Sequence, residues 1–215
     1  MIKVLIFDMD GTIIDSDQII INSRIEMIHC FKESDYKIDI ERLRSYSGPP
    51  VEYAINDLFP EKDYDFILKE YRKRTKKYYD DLKLFDNAFE VINKLYLDGY
   101  KLAIVTSKNK EMCLKSLKKF NLDELFSFII TCESVKNPKP NPEGMLKVLD
   151  YFKINCNEAI SIGDSEYDYL AARGANIPSI LLTMCKRVYK NKINPLSYIN
   201  NYLDLYREIK KYDSK

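Results

Sequence analysis

Five short, mainly apolar runs separated by helical segments constrain the fold of this chain more than any other feature of its sequence. Short apolar runs of this kind are typical of strands buried on both faces. Because strands that alternate with helices form parallel sheets, the pattern predicts an α/β fold: a Rossmann-like parallel sheet with helices on both faces. The predicted strands are residues 4–7, 102–105, 127–131, 159–162 and 179–182.

One long segment interrupts this alternation directly after the first strand. Residues 17–82 contain no strand-like run, and their apolar residues recur at helical spacing. We therefore expect a small α-helical cap domain over residues 17–82, inserted into a core domain formed by residues 1–16 and 83–215. Predicted helices in the cap include 51–59 and 63–81, those in the core include 87–97, 112–120, 143–152, 165–173 and 198–212, and residues 186–195 are predicted to be irregular.

Composition excludes several classes of function. The net charge of +1 gives no reason to expect binding to nucleic acid or to an anionic membrane. No run of about 20 apolar residues, the length needed to span a bilayer, occurs in the sequence. The five cysteines are scattered without a CxxC pair, which is typical of free thiols in the reducing cytoplasm. The single histidine, His29, falls late in a predicted helix and is interpreted as a packing or surface residue.

Two carboxylates, Asp8 and Asp10, follow the first strand. If the strand persists to Asp10, both side chains point to the same face, because residues two apart on a strand share a face. Adjacent carboxylates repel each other and are costly to desolvate. The pair therefore suggests a metal ion, a shared proton or both, whereas the alternative is a solvated turn.

Further polar residues follow the other predicted strands. The carboxyl ends of parallel strands lie at one edge of the sheet, where ligands bind in open α/β folds. Simpler interpretations exist for each residue, since Asp164 could cap a helix and Lys139 could be an ordinary loop lysine beside Lys136. The residues predicted to meet at this edge are Asp8, Asp10, Thr106, Ser107, Lys139, Asp164 and Asp168.

Four motifs in this order resemble those of the haloacid dehalogenase superfamily of hydrolases. DMDGT at 8–12 matches the first motif, and Thr106 after an apolar strand matches the second. Lys139 within KPNPE matches the third, and Gly163-Asp164-Ser165 together with Asp168 matches the fourth. The resemblance covers nearly the whole chain, and it is strongest to the phosphoglycolate phosphatase-like and pyrophosphatase-like members with a helical C1-type cap.

The resemblance implies a role for each motif. Asp8 would be the nucleophile that forms an aspartyl-phosphate, and Asp10 would donate and accept protons. Mg²⁺ would be held by Asp8, the main-chain carbonyl of Asp10 and Asp164, an all-oxygen set that suits this hard cation. Asp168, one helical turn past Asp164 and three residues after the possible helix cap Ser165, would reach the metal through water or orient Lys139.

Substrate contacts are implied in the same way. The hydroxyl of Thr106, the amides around Met9 and Ser107, and the charge of Lys139 would bind the phosphoryl oxygens. The loop at Gly48 and Pro49 would fold over the substrate. The basic run 72–77 is interpreted as a solvated helix face, with attraction of an anionic substrate as the alternative.

The function implied is that of a Mg²⁺-dependent phosphatase, phosphoglycolate phosphatase-like, acting on a small phosphorylated metabolite. A β-phosphoglucomutase-like phosphosugar mutase and an inorganic pyrophosphatase are the alternatives, because they share the four motifs. A non-enzymatic binding module with this fold is disfavoured by the complete set of catalytic residues. We expect a cytoplasmic monomer or weak dimer that binds neither nucleic acid nor membrane.

Overall fold

The computed structural model describes residues 1–185, 187, 189 and 191–213. Nine α-helices and eight strands lie within these residues. The strands are β1 (Val4–Phe7), β2 (Ile14–Asp15), β3 (Lys83–Leu84), β4 (Lys101–Val105), β5 (Phe126–Ile130), β6 (Ala159–Gly163), β7 (Ser179–Leu182) and β8 (Ser197–Ile199). The helices are α1 (Asp17–Phe31), α2 (Ile40–Ser45), α3 (Val51–Leu58), α4 (Tyr64–Lys77), α5 (Ala88–Leu97), α6 (Lys110–Lys119), α7 (Glu143–Phe152), α8 (Glu166–Gly174) and α9 (Tyr202–Asp213).

Six strands form one parallel sheet in the order β5-β4-β1-β6-β7-β8, which confirms the predicted Rossmann-like α/β fold. Strand β1 lies inside the sheet, where Val4 pairs with Lys101 of β4 on one side and with Ala159 of β6 on the other. The strand order therefore reverses at β1. Ligands of open α/β sheets bind at such a reversal, outside the carboxyl ends of the strands.

The alternating side chains of β1 face two different helical layers. Leu5 and Phe7 belong to a buried cluster that includes residues of α5, α6 and α9. Val4 and Ile6 belong to a second cluster that includes residues of α7 and α8. Because both faces of β1 are covered, all four of its residues are apolar, which explains the continuous run in the sequence.

Helices α1 to α4 form what we call the helical insert, the segment predicted as a cap at residues 17–82. Its apolar residues make a third buried cluster, which includes Ile21, Leu43 and Ile67. The chain leaves and re-enters the rest of the fold through an antiparallel pair of strands, in which Asp15 of β2 pairs with Lys83 of β3. No helix in the described parts of the chain is long and apolar enough to cross a bilayer.

Several element boundaries differ from the prediction. The C-terminal helix was expected over residues 198–212, but residues Ser197–Ile199 form β8, which pairs with β7, and the helix begins at Tyr202. The helix expected over 63–81 ends at Lys77 and is followed by a short 3-10 turn, and helix α2 was not predicted. Three residues of the segment expected to be irregular, Lys186, Val188 and Lys190, lie outside the described residues.

Candidate active site

The predicted site residues lie at the carboxyl edge of the sheet, each placed by a different element. Asp8 follows β1, Thr106 follows β4 and Asp164 follows β6, while Lys139 lies in the loop between β5 and α7. All four side chains are buried, Asp164 completely. Charges in this position interact strongly because little water screens them.

Lys139 joins two of the buried carboxylates. Its Nζ donates to Asp8 Oδ1 at 2.7 Å and to Asp168 Oδ1 at 2.5 Å. Asp168 is held in turn by Ser165, whose main-chain N and Oγ donate to Asp168 Oδ2 at 3.0 and 2.6 Å. Burial alone would lower the pKa of Lys139, but the two carboxylates outweigh burial and raise it. The contact matches one of the two roles left open for Asp168, the orientation of Lys139.

Asp8, Asp164 and Asp168 form an acidic cluster in which one oxygen of each lies within 4.8 Å of the others. Burial raises the pKa of Asp8 to about 7, although Lys139 opposes the shift. Burial also raises the pKa of Asp164 to about 6, with Arg187 acting in the opposite direction. Both carboxylates are thus incompletely stabilised in their ionised forms. A hard divalent cation fits such a cluster, because it prefers oxygen ligands and neutralises their charge.

Strand β1 ends at Phe7, and Asp10 lies in the tight loop that follows it. The main-chain carbonyl of Met9 accepts the amides of Ile13 and Ile14 at 2.9 Å, which curls the chain back on itself. The assumption that the strand persists to Asp10 is therefore wrong. The loop nevertheless brings the carboxylates of Asp8 and Asp10 to the wall of the same cavity.

Lys108 is a partly buried partner of Asp10 that the sequence did not point to. Its Nζ donates to the two carboxylate oxygens of Asp10 at 2.6 and 2.7 Å. Burial raises the pKa of Asp10, but Lys108 outweighs it, and the pKa of Asp10 lies below its ordinary value. The one available signal was position, since Lys108 follows the predicted strand end at Thr106 by two residues.

Arg187 is the second residue that the sequence analysis missed. Its Nε donates to Asp164 Oδ2 at 2.6 Å, and its Nη1 donates to Asp17 Oδ1. No sequence signal pointed to it, because it lies in the basic stretch after β7 that shows neither strand nor helix periodicity.

A cavity of about 250 Å³ lies between the edge of the sheet and the helical insert. Asp8, Asp10, Thr106 and Ser107 line it, together with the predicted loop residues Gly48 and Pro49 of the insert. The Oγ of Ser107 donates to the carbonyl of Gly48 at 3.3 Å, so the loop lies against the sheet edge. Gly48 has a φ of 106°, and a Cβ atom there would lie 2.7 Å from Cβ of Ser165. Only glycine allows this close approach.

The basic run 72–77 is divided between two environments. Arg72 and Lys76 line the cavity. Lys76 also pairs with Glu111 of α6 at 3.0 Å, whereas Arg74 pairs with Glu70 on its own helix. The interpretation as a solvated face therefore describes only part of the run.

The family described as haloacid dehalogenase-like hydrolase matches residues 5–182, which include all four motifs and the helical insert. This match covers most of the chain. The chain therefore belongs to the haloacid dehalogenase-like hydrolases, as the resemblance of its motifs predicted.

Individual relatives agree with this assignment. A protein of Caldanaerobacter subterraneus, provisionally named pyrophosphatase PpaX, is 34% identical over 99% of this chain and 96% of its own length. The crystal structure of a provisionally named haloacid dehalogenase-like hydrolase from Bacteroides fragilis has a TM-score of 0.84 at 24% identity, covering 95% of this chain and all of that one. A provisionally named phosphoglycolate phosphatase from Lactobacillus plantarum has a TM-score of 0.84 at 20% identity, over 96% and 99% of the two chains. At these identities the two structures support the fold alone.

Proposed function

We propose that this chain is a Mg²⁺-dependent phosphatase that hydrolyses a small phosphorylated metabolite through an aspartyl-phosphate. The position and contacts of Asp8 are the main support for this proposal. Its buried carboxylate follows the strand at which the sheet order reverses, accepts a hydrogen bond from Lys139 at 2.7 Å, and lines a cavity shared with Asp10. A cavity of about 250 Å³ is suited to a small molecule. Membership of a hydrolase family supports the same reaction type.

The reaction is proposed to proceed in two steps. In the first, an oxygen of Asp8 attacks phosphorus, the bond to the leaving oxygen breaks, and Asp10 gives that oxygen a proton. In the second, water attacks the aspartyl-phosphate, Asp10 accepts a proton from the water, and phosphate leaves as the Asp8 carboxylate re-forms. Thr106, Ser107 and the amide of Met9 donate to the phosphoryl oxygens, and Lys139 contributes positive charge.

The pairing of Asp10 with Lys108 bears on both steps. Lys108 favours the ionised form of Asp10, which is the form that accepts a proton from water in the second step. The first step needs a protonated Asp10. We therefore infer that the ammonium of Lys108 moves away from Asp10 when substrate enters the cavity.

Asp8, Asp164 and the main-chain carbonyl of Asp10 are the residues proposed to hold Mg²⁺. The acidic cluster fits a hard divalent cation for the reasons given above. Mg²⁺, when bound, neutralises charge on the phosphoryl group. In this arrangement Asp168 keeps Lys139 in place and is not itself a ligand.

Phosphoglycolate and inorganic pyrophosphate are the two proposed substrates. Each carries a second anionic group close to the phosphoryl group, and the cavity is lined by Arg72 and Lys76 of the helical insert. The name of the relative from Caldanaerobacter subterraneus, which is 34% identical over nearly the whole chain, favours pyrophosphate. A phosphosugar mutase remains the alternative reaction, and a binding module the alternative class.

We also propose that residues 17–82 act as the cap of the active site and that the protein is cytoplasmic. The separate buried cluster of the helical insert supports the first statement. The five cysteines are free, which is typical of a reducing compartment and supports the second.

Phosphate release from a panel of substrates tests this function. With Mg²⁺ present, the wild type should release phosphate from pyrophosphate or phosphoglycolate, and Asp8→Asn should reduce the rate to background. Lys139→Met should also abolish release, whereas Lys136→Met, which changes the exposed lysine of the same loop, should not. Isomerisation of a hexose phosphate without release of phosphate would indicate the mutase, and equal rates for wild type and Asp8→Asn would contradict an enzymatic role for this site.

A further inference from the structure

Arg187 connects two carboxylates that belong to different parts of the fold. Its Nε donates a hydrogen bond of 2.6 Å to Asp164, which follows β6. Its Nη1 donates to Asp17, the first residue of α1. The side chain of Arg187 is only 5% exposed, and that of Asp164 is fully buried. This arginine therefore bridges the acidic cluster and the beginning of the helical insert from inside the molecule.

The surroundings of Arg187 show that the contact is closely packed. A Cβ atom at Gly11 would lie 2.5 Å from Nη2 of Arg187 and 2.2 Å from Oδ2 of Asp164. The backbone of the first motif is thus packed against the ion pair. Tyr189, two residues further on, donates its hydroxyl to the main-chain carbonyl of Asp164 at 3.4 Å. Two side chains of one segment therefore hold Asp164.

The contact between Arg187 and Asp164 affects how strongly the acidic cluster can bind a cation. Three clustered carboxylates, Asp8, Asp164 and Asp168, are opposed by two cations, Lys139 and Arg187. A divalent cation at the cluster is attracted by the carboxylates and repelled by the guanidinium, which also occupies a lone pair of Asp164. Asp17 reduces this repulsion, because it shares the guanidinium and draws it toward the helical insert.

We propose that Arg187 is a positioning residue that ties Asp164 to Asp17, so that the affinity of the site for a divalent cation depends on the helical insert. The coupling is reciprocal, because a cation that changes the Arg187–Asp164 contact also changes the contact that fixes the start of α1. The inference rests on the proposed function in one respect, that a divalent cation binds at the acidic cluster. Nothing in it depends on the substrate.

Calorimetric titration of the full chain with Mg²⁺ tests the proposal without measuring turnover. Arg187→Gln should raise the affinity roughly tenfold, the effect of one charge-assisted hydrogen bond. Asp17→Asn should lower it by about threefold, because a neutral amide no longer offsets the charge of the guanidinium beside Asp164. In the double variant the Asp17→Asn effect should disappear, since Asp17 acts through Arg187. Arg44→Gln is the matched control: its Nε lies 4.0 Å from Asp17 Oδ2, and the change should leave Mg²⁺ affinity unaltered.

The outcomes separate this proposal from the proposed function. A wild type that binds no Mg²⁺ contradicts the proposed function and the inference together. Mg²⁺ binding with unchanged or weaker affinity in Arg187→Gln overturns only the inference, as does an equal effect of Asp17→Asn in both backgrounds. If Arg187→Gln does not fold, Arg187→Lys serves instead, because a single ammonium cannot span both carboxylates as the guanidinium fork does. The Asp17→Asn effect should then fall to less than about half, and an undiminished effect would overturn the inference.

Discussion

Each aspartate of the first motif pairs with a different lysine, Asp8 with the buried Lys139 and Asp10 with the partly buried Lys108. Lys139 pairs with Asp8, whose pKa burial raises to about 7, and Lys108 pairs with Asp10, whose pKa lies below its ordinary value. Two carboxylates that stand two residues apart in the sequence therefore have opposite electrostatic environments. The proposed roles need an ionised Asp8 and, in the first step, a protonated Asp10, so both shifts must be reversed when cation and substrate bind.

The first prediction concerns Asp10. Asp10→Asn should reduce turnover by about 10²–10⁴-fold, because the variant can neither donate nor accept the proton. Mg²⁺ affinity should be preserved, since the main-chain carbonyl of residue 10 is unchanged. Steady-state kinetics and calorimetric Mg²⁺ titration check the two parts. An equal loss of Mg²⁺ affinity in Asp10→Asn and Asp164→Asn would refute this division of roles.

At the residue level, the sequence could predict the groups that follow strands but not the partners supplied by irregular segments. Asp8 and Asp164 could be placed together because parallel strands end at one edge. The same argument could have placed Lys108 there, because it lies just after the predicted strand that ends at Val105. Arg187 could not be placed in this way, because it lies in a stretch of the sequence that has no strand or helix periodicity.

Among the elements, the loop that carries Lys139 is fixed by the first residue of the following helix. Glu143 of α7 pairs with Lys147 at 2.8 Å and accepts the amides of Lys136 and Asn137 at 3.0 and 2.9 Å. The hydrogen bond from Lys147, followed by those from the two amides, lowers the pKa of Glu143 to about 2. The loop is therefore held by an ionised side chain as well as by its prolines.

The second prediction follows from this pKa. Because the folded pKa is below the unfolded value of about 4.5, the stabilisation is complete above pH 5 and is lost as pH falls toward 2. Glu143→Gln should lower the urea midpoint relative to wild type at pH 7, with a smaller difference at pH 3. The control is Asp150→Asn, since Asp150 pairs only with the exposed Lys153 in the hydrogen bonds of the described chain. A Glu143→Gln difference that does not change with pH would contradict the assignment.

Helix α9 supports the first motif from the opposite end of the chain. The buried hydroxyl of Tyr202 donates to the main-chain carbonyl of Thr12 at 2.8 Å. The hydroxyl of Thr12 lies 3.5 Å from Asp164 Oδ1. The start of α9 is thus two contacts away from the acidic cluster.

The third prediction is that Tyr202→Phe lowers the free energy of unfolding by about 1 kcal/mol, because a buried carbonyl loses its donor. Tyr206→Phe is the matched control, as its hydroxyl donates to Asp98 at an exposed position and its loss should have little effect. Urea unfolding of the three proteins makes the comparison. Equal stabilities of the two variants would show that the buried bond contributes nothing.

The same region shows why element boundaries were mispredicted. Ile199 and Leu203 are four residues apart, which is helical spacing, so the pattern was extended back to residue 198. In the structure Ile199 pairs with Leu182 of β7, and the backbone hydrogen bonds of a sheet edge outweigh a weak local preference. The five strands of the predicted core were found because each contains an apolar run, fully buried in β1, β6 and β7 and partly so in β5, whereas β8 is short and partly exposed.

For the molecule as a whole, binding at Asp8 should stabilise the native state. Mg²⁺ with beryllium fluoride, a mimic of the phosphoryl group, should raise the melting temperature by roughly 5–10 °C at 100 times its dissociation constant. Asp8→Asn should lose this shift, because the mimic needs the carboxylate. Differential scanning calorimetry gives the measurement, and an equal shift in both proteins would place the mimic elsewhere.

The pairing of β2 with β3 has a consequence for how chains of this kind diversify. Asp15 and Lys83 are partners on adjacent strands, so the two ends of the helical insert are separated by no more than the width of one strand pair. A segment whose ends are this close can be exchanged for another of different length without stretching the sheet. We therefore expect that a new insert can be placed between these two strands without displacing the strands that carry the carboxylates of the sheet edge, provided that the contact of Arg187 with Asp17 is replaced.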